Sequence, residues 1–479
     1  MTPSELPFAG RRYHFSGVGG SGMSPLALLA ASLGADVTGS DRNHDRGVAL
    51  PIFQHLRSGG VRLVPQDGSA VHAGLDAVVY STAVERANPD FRAAEDRHVT
   101  LVRRGSFLAS IAAARRAVAV AGTSGKSTVT AMIAHLFVRA GLDPSFLGGG
   151  AAVGLPGSTP PGSLRLGASD WFVVETDESD GSVSEFAPAI SVLTNLSRDH
   201  KEVEETARNF SRLLAQTREA VVIHVGDPPL QTVALPSGLR VIRAAVEGHG
   251  TWATPDLVAR RVALSPTGVA FYVEGVRVTV PFPGRLTVEN ALHAVATGVA
   301  AGIPLERSAA ALADFGGVCR RLERVGETGG IDVFDDFAHN PVKIAAALEA
   351  LRPTGALWVY YQPHGYGPTR FFADALVETF RQGLRPGDHL LLAPIYDAGG
   401  TADRSIRSED LVSRLDAPGV RAAVPPTRED AARWIAEARP GDRVVVMGAR
   451  DDTLPLFARR LVEVLEAKTA TADTESKPR

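Results

Sequence analysis

The chain has 479 residues, which at roughly 100–200 residues per domain gives about three domains, and with 44% apolar residues each can bury its own core. Lys and Arg number 50 against 53 Asp and Glu, a net charge of −3, which excludes a global electrostatic footprint for nucleic acid or an anionic membrane and requires any anionic ligand to be held locally. A single cysteine, Cys319, excludes an intramolecular disulfide and a cysteine-cluster metal site; with no signal-like N-terminus and no run of 18 apolar residues, it points to a soluble protein of a reducing cytoplasm.

Residues 12–34, RYHFSGVGGSGMSPLALLAASLG, read as a short strand, a turn with Gly17, Gly19 and Gly22 in G-x-G-x-x-G spacing, and an apolar helix. A second strand ends at Asp41, about twenty positions on, where an acidic residue would meet ribose. The turn either takes a nucleotide or its diphosphate, or is a tight structural turn without a ligand. Further βα units follow, and the first domain spans 1–115.

The central stretch is Ala117 to Met132, AVAVAGTSGKSTVTAM. Five small or β-branched residues make a buried strand, Gly122, Thr123, Ser124 and Gly125 a turn, and Lys126, Ser127 and Thr128 the opening of a helix. Such a junction aims backbone N–H groups and the positive end of the helix dipole at one point, which suits a di- or triphosphate. Lys126 adds charge at the β- and γ-phosphates and Ser127 a hydroxyl for magnesium. A strict P-loop has glycine where this chain has Val120, so the motif is a variant. The alternative is an ordinary strand-turn-helix joint with a solvated lysine; the joint presence of strand, glycines, lysine and hydroxyl favours the phosphate site.

The next strand, WFVVE, delivers Glu175, followed by Asp177, Glu178 and Asp180; another, AISVLTN, leads to His200. Ligands of parallel sheets gather beyond the carboxyl ends of strands, so Lys126, Glu175 and His200 are expected to converge, with magnesium on Glu175. Asp177 and Asp180 read as solvated; His200 is either a metal ligand or a surface or core histidine. Residues 234–282 alternate as edge hairpins, 283–303 form a helix, and the arginine- and glycine-containing stretch 316–330 reads as a hinge. The βα alternation then restarts. The central domain is thus 116–317, the third α/β domain 318–467, and 468–479 a disordered tail.

Together and in this order, HFSGVGGSGMS, NPDF, LVRR, AVAGTSGKSTVTAM, GLDPSFLGGG, VVETDESD, TNLSRDH, PGRLTVENAL, RRLERVG, DDFAHNP, YYQPHGY and VVVMGA resemble the Mur ligase family of ATP-dependent amide-forming enzymes, over essentially the whole chain to about residue 465. The resemblance implies an α/β protein of three domains: a Rossmann-like N-terminal domain for a UDP-sugar, a central P-loop ATPase domain with added β-hairpins, and a Rossmann-like C-terminal domain that brings the amino acid and closes over ATP. It puts the UDP-sugar at Gly17, Gly19, Gly20, Ser21, Gly22 and Asp41. It puts ATP at Gly122 to Thr128, with Asn290 near adenine, Arg321 near the phosphates, and Asp336 near the ribose beside His339. Magnesium falls to Ser127, Glu175 and His200, and catalysis to Lys126, Glu175 and His200. The amino acid and closure fall to His364, Tyr366 and Arg370.

The implied reaction joins an amino acid to the sugar's carboxylate through an acyl phosphate, in a monomer or homodimer without nucleic-acid or membrane partners. The chain departs from the family pattern at several places. Ser124 replaces a usual histidine, Leu286-Thr287 a His-Asn pair, and Gly365 and Pro368 two usual arginines. No lysine lies between Lys201 and Lys343 where sister ligases carry a carbamylated one. A divergent paralogue with another acceptor or amine, or an inactive nucleotide-binding regulator, therefore stands as the alternative.

Overall fold

The computed structural model describes residues 8–82, 84–159, 162–178, 180–197, 202–397 and 403–475, with side chains to 468. Two compact units emerge: Met1–Val262 with Phe271–Thr279 and Glu289–Gly316, and Ala263–Ala270 with Val280–Val288 and Gly317–Arg479.

The first sheet holds β1 (Arg12–Ser16), β2 (Asp36–Ser40), β3 (Arg62–Val64), β4 (Ala77–Tyr80) and β5 (Leu101–Arg103), in the order β3-β2-β1-β4-β5. All its pairings are parallel, and this is the half-Rossmann arrangement expected from the glycine turn. Alternation along β1 sends Phe15 into an apolar core, where its ring meets that of Phe107 at 5.5 Å. It sends His14 and Ser16 to a buried polar knot instead: the hydroxyls of Ser16 and Ser40 donate to Asp90 Oδ2 at 2.8 and 2.6 Å, and His14 Nε2 lies 3.3 Å from the same oxygen. Burial raises the Asp90 carboxyl, but contacts with His14, Ser40 and Ser16 more than offset it and hold it below its ordinary range.

The second sheet has eleven strands. They are β6 (Arg116–Ala121), β7 (Ser145–Leu147), β8 (Ser158–Thr159), β9 (Leu164–Arg165), β10 (Trp171–Glu175), β11 (Ile190–Leu193), β12 (Ala220–His224), β13 (Arg240–Val246), β14 (Leu257–Ser265), β15 (Gly268–Val273) and β16 (Val276–Val280). Their order is β16-β15-β14-β13-β12-β11-β6-β10-β7-β9-β8. The small side chains of β6 are fully buried from Ala117 to Ala121, which suits a strand covered on both faces. The expected edge hairpins are β14, β15 and β16, joined by two-residue turns, the second with Glu274 and Gly275 both at positive φ.

The third sheet holds β17 (Glu323–Thr328), β18 (Ile331–Asp336), β19 (Leu357–Tyr361), β20 (His389–Leu392), β21 (Arg421–Ala423) and β22 (Arg443–Met447), ordered β17-β18-β22-β19-β20-β21. Only β17 is antiparallel to its neighbour; the other pairings are parallel. β17 lies within the stretch that the sequence suggests is a hinge: Gly329 and Gly330, both at positive φ, turn the chain so that Glu323–Thr328 pairs along β18. The last helix runs Leu454–Glu475, past residue 467. Among the described residues, no helix is long and apolar enough to cross a membrane.

Candidate active site

At the carboxyl end of β6 the chain turns through Gly122 (φ +142°) and Gly125 (φ +81°) into the helix Lys126–Arg139. Both glycines are required twice over. Their backbone is left-handed, and a Cβ on Gly122 would collide with Thr194 Oγ1 while one on Gly125 would lie 2.5 Å from Asn290 Oδ1. Among the described residues no side chain caps the helix N-terminus, so its first turn keeps the electropositive end that binds anions.

The segment after β11 clasps this turn. Asn195 Oδ1 accepts from Ser124 N at 2.8 Å, and its Nδ2 donates to Ser124 O at 3.1 Å. Thr194 Oγ1 donates to Ser124 O at 2.8 Å, and Thr123 Oγ1 accepts from Ser197 N at 2.9 Å. His200 lies outside the described residues, three positions beyond Ser197.

Lys126 is 15% exposed and does not point to water. Its Nζ donates to Gly122 O at 2.6 Å and to Glu178 Oε1 at 3.0 Å, with Glu178 Oε2 at 2.8 Å. Burial raises the Glu178 carboxyl above its ordinary range, and the lysine only partly opposes this. Glu178 is the residue that sequence reasoning passes over, since the acidic run after WFVVE looks solvated. Nor are its neighbours simply solvated: Asp177 pairs with Arg104 at 3.1 Å, and Asp180 Oδ1 accepts from Ser182 N at 2.9 Å.

Glu175 is the last residue of β10, level with Val120 of β6 across a parallel pair. Its Oε2 accepts from Gly149 N at 2.8 Å, and a Cβ on Gly149 would lie 2.7 Å from that carboxylate. Leu193 of β11 is level with Ala121. The ends of β10, β6 and β11 therefore stand side by side, with Glu175, the phosphate turn and the Thr194–Ser197 clasp just beyond them.

At the first sheet, Gly17 has φ +74° and Gly19 N donates to Asp41 Oδ2 at 3.0 Å. Asp41 Oδ1 accepts from Asn43 N at 2.8 Å, so each oxygen of the residue expected at a ribose accepts one backbone N–H. Ser21 is exposed and Gly20 O accepts from Met23 N and Ser24 N, which opens the helix Met23–Ser32. A Cβ on Gly22 would lie 2.9 Å from Arg104 Nη1. Arg104 thus stands over this turn while paired to Asp177, a link between the two glycine turns that spacing does not reveal.

In the second unit, Arg321, Asp336, His339 and His364 share one corner. Asp336 accepts from Leu322 N and Ala338 N, each at 2.7 Å, and burial raises its carboxyl. Arg321 and Arg320 both lie 4.9 Å from the Phe337 ring centroid. His339 Nδ1 donates to Phe337 O at 2.9 Å, and its ring lies 4.9 Å from that of His364. Asp335, 3.3 Å from Arg320 Nε, is pushed up to about 6 by burial. Gly365 (φ +133°) opens the short helix Tyr366–Phe371. Arg370 on that helix holds Asp403 (2.9 Å to Oδ2) and Ser405 Oγ (3.1 Å), and Arg404 lies 5.8 Å from the Tyr366 ring centroid.

A doubly wound sheet whose central strand feeds an uncapped, lysine-bearing helix, with two carboxylates at and just past the end of one neighbouring strand, defines a class: α/β enzymes that bind a nucleotide triphosphate and act on its terminal phosphate. Three stretches match family models, described as Mur ligase family, catalytic domain (residues 12–116), Mur ligase middle domain (120–298) and Mur ligase, glutamate ligase domain (320–450). The chain belongs to the Mur ligase family. It is 34% identical to a UDP-N-acetylmuramate--L-alanine ligase of Rhizobium etli over 93% of this chain and 95% of that one. It is 33% identical to the enzyme of the same name from Thermobifida fusca over 97% and 98%. In fold it is similar to the UDP-N-acetylmuramate-alanine ligase MurC of Thermotoga maritima, with a TM-score of 0.76 at 24% identity, covering 95% of this chain and 99% of that one.

Proposed function

We propose that this protein is an ADP-forming ligase that joins L-alanine to the carboxylate of UDP-N-acetylmuramate, a step of peptidoglycan precursor synthesis carried out in the cytoplasm by a monomer or homodimer. The observation that carries the reading is Lys126: a nearly buried ammonium at the mouth of an uncapped helix, with Glu175 at the end of the neighbouring strand β10 and Glu178 three residues beyond it. The names of relatives matched over nearly the whole chain support the same substrates.

In the first step a carboxylate oxygen of the sugar's lactyl arm attacks the γ-phosphorus of ATP, the bond to the bridging oxygen breaks, and ADP leaves. In the second, the alanine amine attacks the acyl carbonyl, loses a proton, and inorganic phosphate departs as the amide forms. Two anions must meet in the first step, so electrostatic stabilisation dominates. Lys126 and the N–H groups of its helix supply the positive field. Ser127, Glu175 and His200 are assigned to magnesium, which lowers the charge of the phosphates when bound; the hydroxyl and carboxylate are hard oxygen donors that suit it. Asn290, beside Gly125, is assigned to adenine, Arg321 to the phosphates, and Asp336 with His339 to the ribose side. Gly17, Gly19, Gly20, Ser21, Gly22 and Asp41 are assigned to the UDP-sugar.

One observation favours a second reading, a paralogue with a different amine. Arg370 is the guanidinium near the missing arginines of Gly365 and Pro368, and it is engaged with Asp403 and Ser405. A bidentate grip on an amino-acid carboxylate needs such a group. The test offers ATP, magnesium and UDP-N-acetylmuramate with each amino acid in turn and reads phosphate release. Alanine-dependent release is expected; release only with other amines moves the assignment to the paralogue, and none with any amine rejects the ligase.

A further inference from the structure

Away from the phosphate turn, the carboxyl edge of the same sheet gathers a second set of side chains. His224 is the last residue of β12 and 3% exposed. β13 runs parallel beside it, His224 level with Ala244, and the turn after β13 returns His249, whose N–H donates to Val246 O at 3.2 Å. Glu289 comes from the second turn of the helix Arg285–Ala300. His293 lies four residues on, on the same face, its ring 5.3 Å from that of His224. One ligand atom each from His224, His249 and Glu289 lie within 4.8 Å of one another.

Three features argue that this cluster has an occupant. His224 Nδ1 is buried with no hydrogen-bond partner among the described residues, an arrangement that apolar packing alone would not retain. Gly226 makes room, since a Cβ there would lie 2.8 Å from His224 Nε2. His224 is buried while His249 and Glu289 are half-buried, which leaves a path from solvent.

We propose that His224, His249 and Glu289 form a divalent-metal site of the zinc class, distinct from the magnesium set at the phosphate turn. Two imidazoles, one carboxylate and an open fourth position make up a zinc donor set, whereas magnesium favours a set made mostly of oxygen donors. A bound ion ties the end of β12 and the turn after β13 to the helix that carries Asn290, the residue next to Glu289 and the one that packs on Gly125. Zinc occupancy thus steadies a wall of the nucleotide site without joining the chemistry.

The test uses untagged full-length protein, stripped with a chelator, mixed with Zn²⁺ and desalted. One zinc retained per chain is expected by elemental analysis, and Co²⁺ in its place should give the visible absorption of a low-coordinate nitrogen and oxygen site. His249→Ala and Glu289→Gln, checked for folding by circular dichroism, should each weaken zinc binding by about tenfold or more, while Lys126→Ala retains it. Folded wild-type protein that keeps no zinc, or zinc kept equally by both variants, overturns the site.

Discussion

Two glycine turns in this chain are assembled from the same parts, a buried strand, a positive-φ glycine and an uncapped helix, yet they are wired differently. The turn at Gly122–Gly125 draws a lysine inward and sets Glu178 against it. The turn at Gly17–Gly22 carries no charge of its own; Asp41 closes one side through Gly19 N–H, and Arg104 stands over the other. A helix N-terminus alone suits a diphosphate that is held and left intact, whereas a phosphate that is transferred needs a preorganised positive charge close at hand. The comparison separates binding from chemistry: the first turn is expected to hold, the second to react.

The largest effect should come from Lys126→Ala, which removes the charge from the reacting turn alone. Steady-state kinetics should show kcat lowered by roughly 10³-fold or more, with UDP-sugar affinity by calorimetry unchanged. A parallel loss of UDP-sugar binding would break the division between the turns.

Next is Gly122→Ala, against Gly20→Ala as its control. At Gly122 the added methyl collides with Thr194 Oγ1 at φ +142°, and a cost of about 1–3 kcal/mol with lost ATP binding is expected in denaturant melts. At Gly20 a Cβ would meet nothing nearer than Gly17 O at 3.4 Å, so that variant should melt like wild type.

Glu178→Gln should lower kcat by about tenfold, the scale of one hydrogen bond to a charged group, because Lys126 loses its orienting partner. Stability should move the other way with pH. The folded-state carboxyl is raised, so its stabilising contribution is complete below the ordinary glutamate range and is lost as pH rises through the folded value. Denaturation at a series of pH values should show the variant gaining on wild type as pH rises; a gain on acidification would reverse the assignment.

The smallest effect is expected for Asp41→Asn. Asparagine keeps one acceptor oxygen, for Gly19 N or for Asn43 N, and loses the other bond, so a stability loss of about 1 kcal/mol is expected in denaturant melts. The same variant should raise the UDP-sugar KM about fivefold, about 1 kcal/mol of binding; an unchanged KM would take Asp41 off the UDP-sugar.

Much of this architecture was legible because it is local. Short apolar runs mark β1, β6, β10, β11 and, in the third sheet, β18, β19, β20 and β22, and the hairpins from residue 257 follow from alternation and two-residue turns. The phosphate turn was legible too, since strand, glycines, lysine and hydroxyl are contiguous. The connections were not. Glu178 reaches Lys126 across 52 positions, Asn195 reaches Ser124 across 71, and Arg104 reaches Asp177 across 73; no periodicity encodes which acid of ETDESD turns inward. The spacing from the glycine turn places Asp41 at a ribose but does not show that it also holds two backbone N–H groups, of Gly19 across 22 positions and of Asn43. β17 was hidden for a related reason, because its strand character depends on pairing with β18 rather than on the arginine- and glycine-rich stretch around it.

The central claim is that the sugar's carboxylate is phosphorylated at the turn held by Lys126. UDP-N-acetylmuramate carrying ¹⁸O in its lactyl carboxylate, turned over with ATP and L-alanine, tests this directly by mass spectrometry of the phosphate released. Transfer of one labelled oxygen to phosphate is the predicted result; phosphate free of label, at full amide yield, would contradict the acyl phosphate and the role of the turn with it.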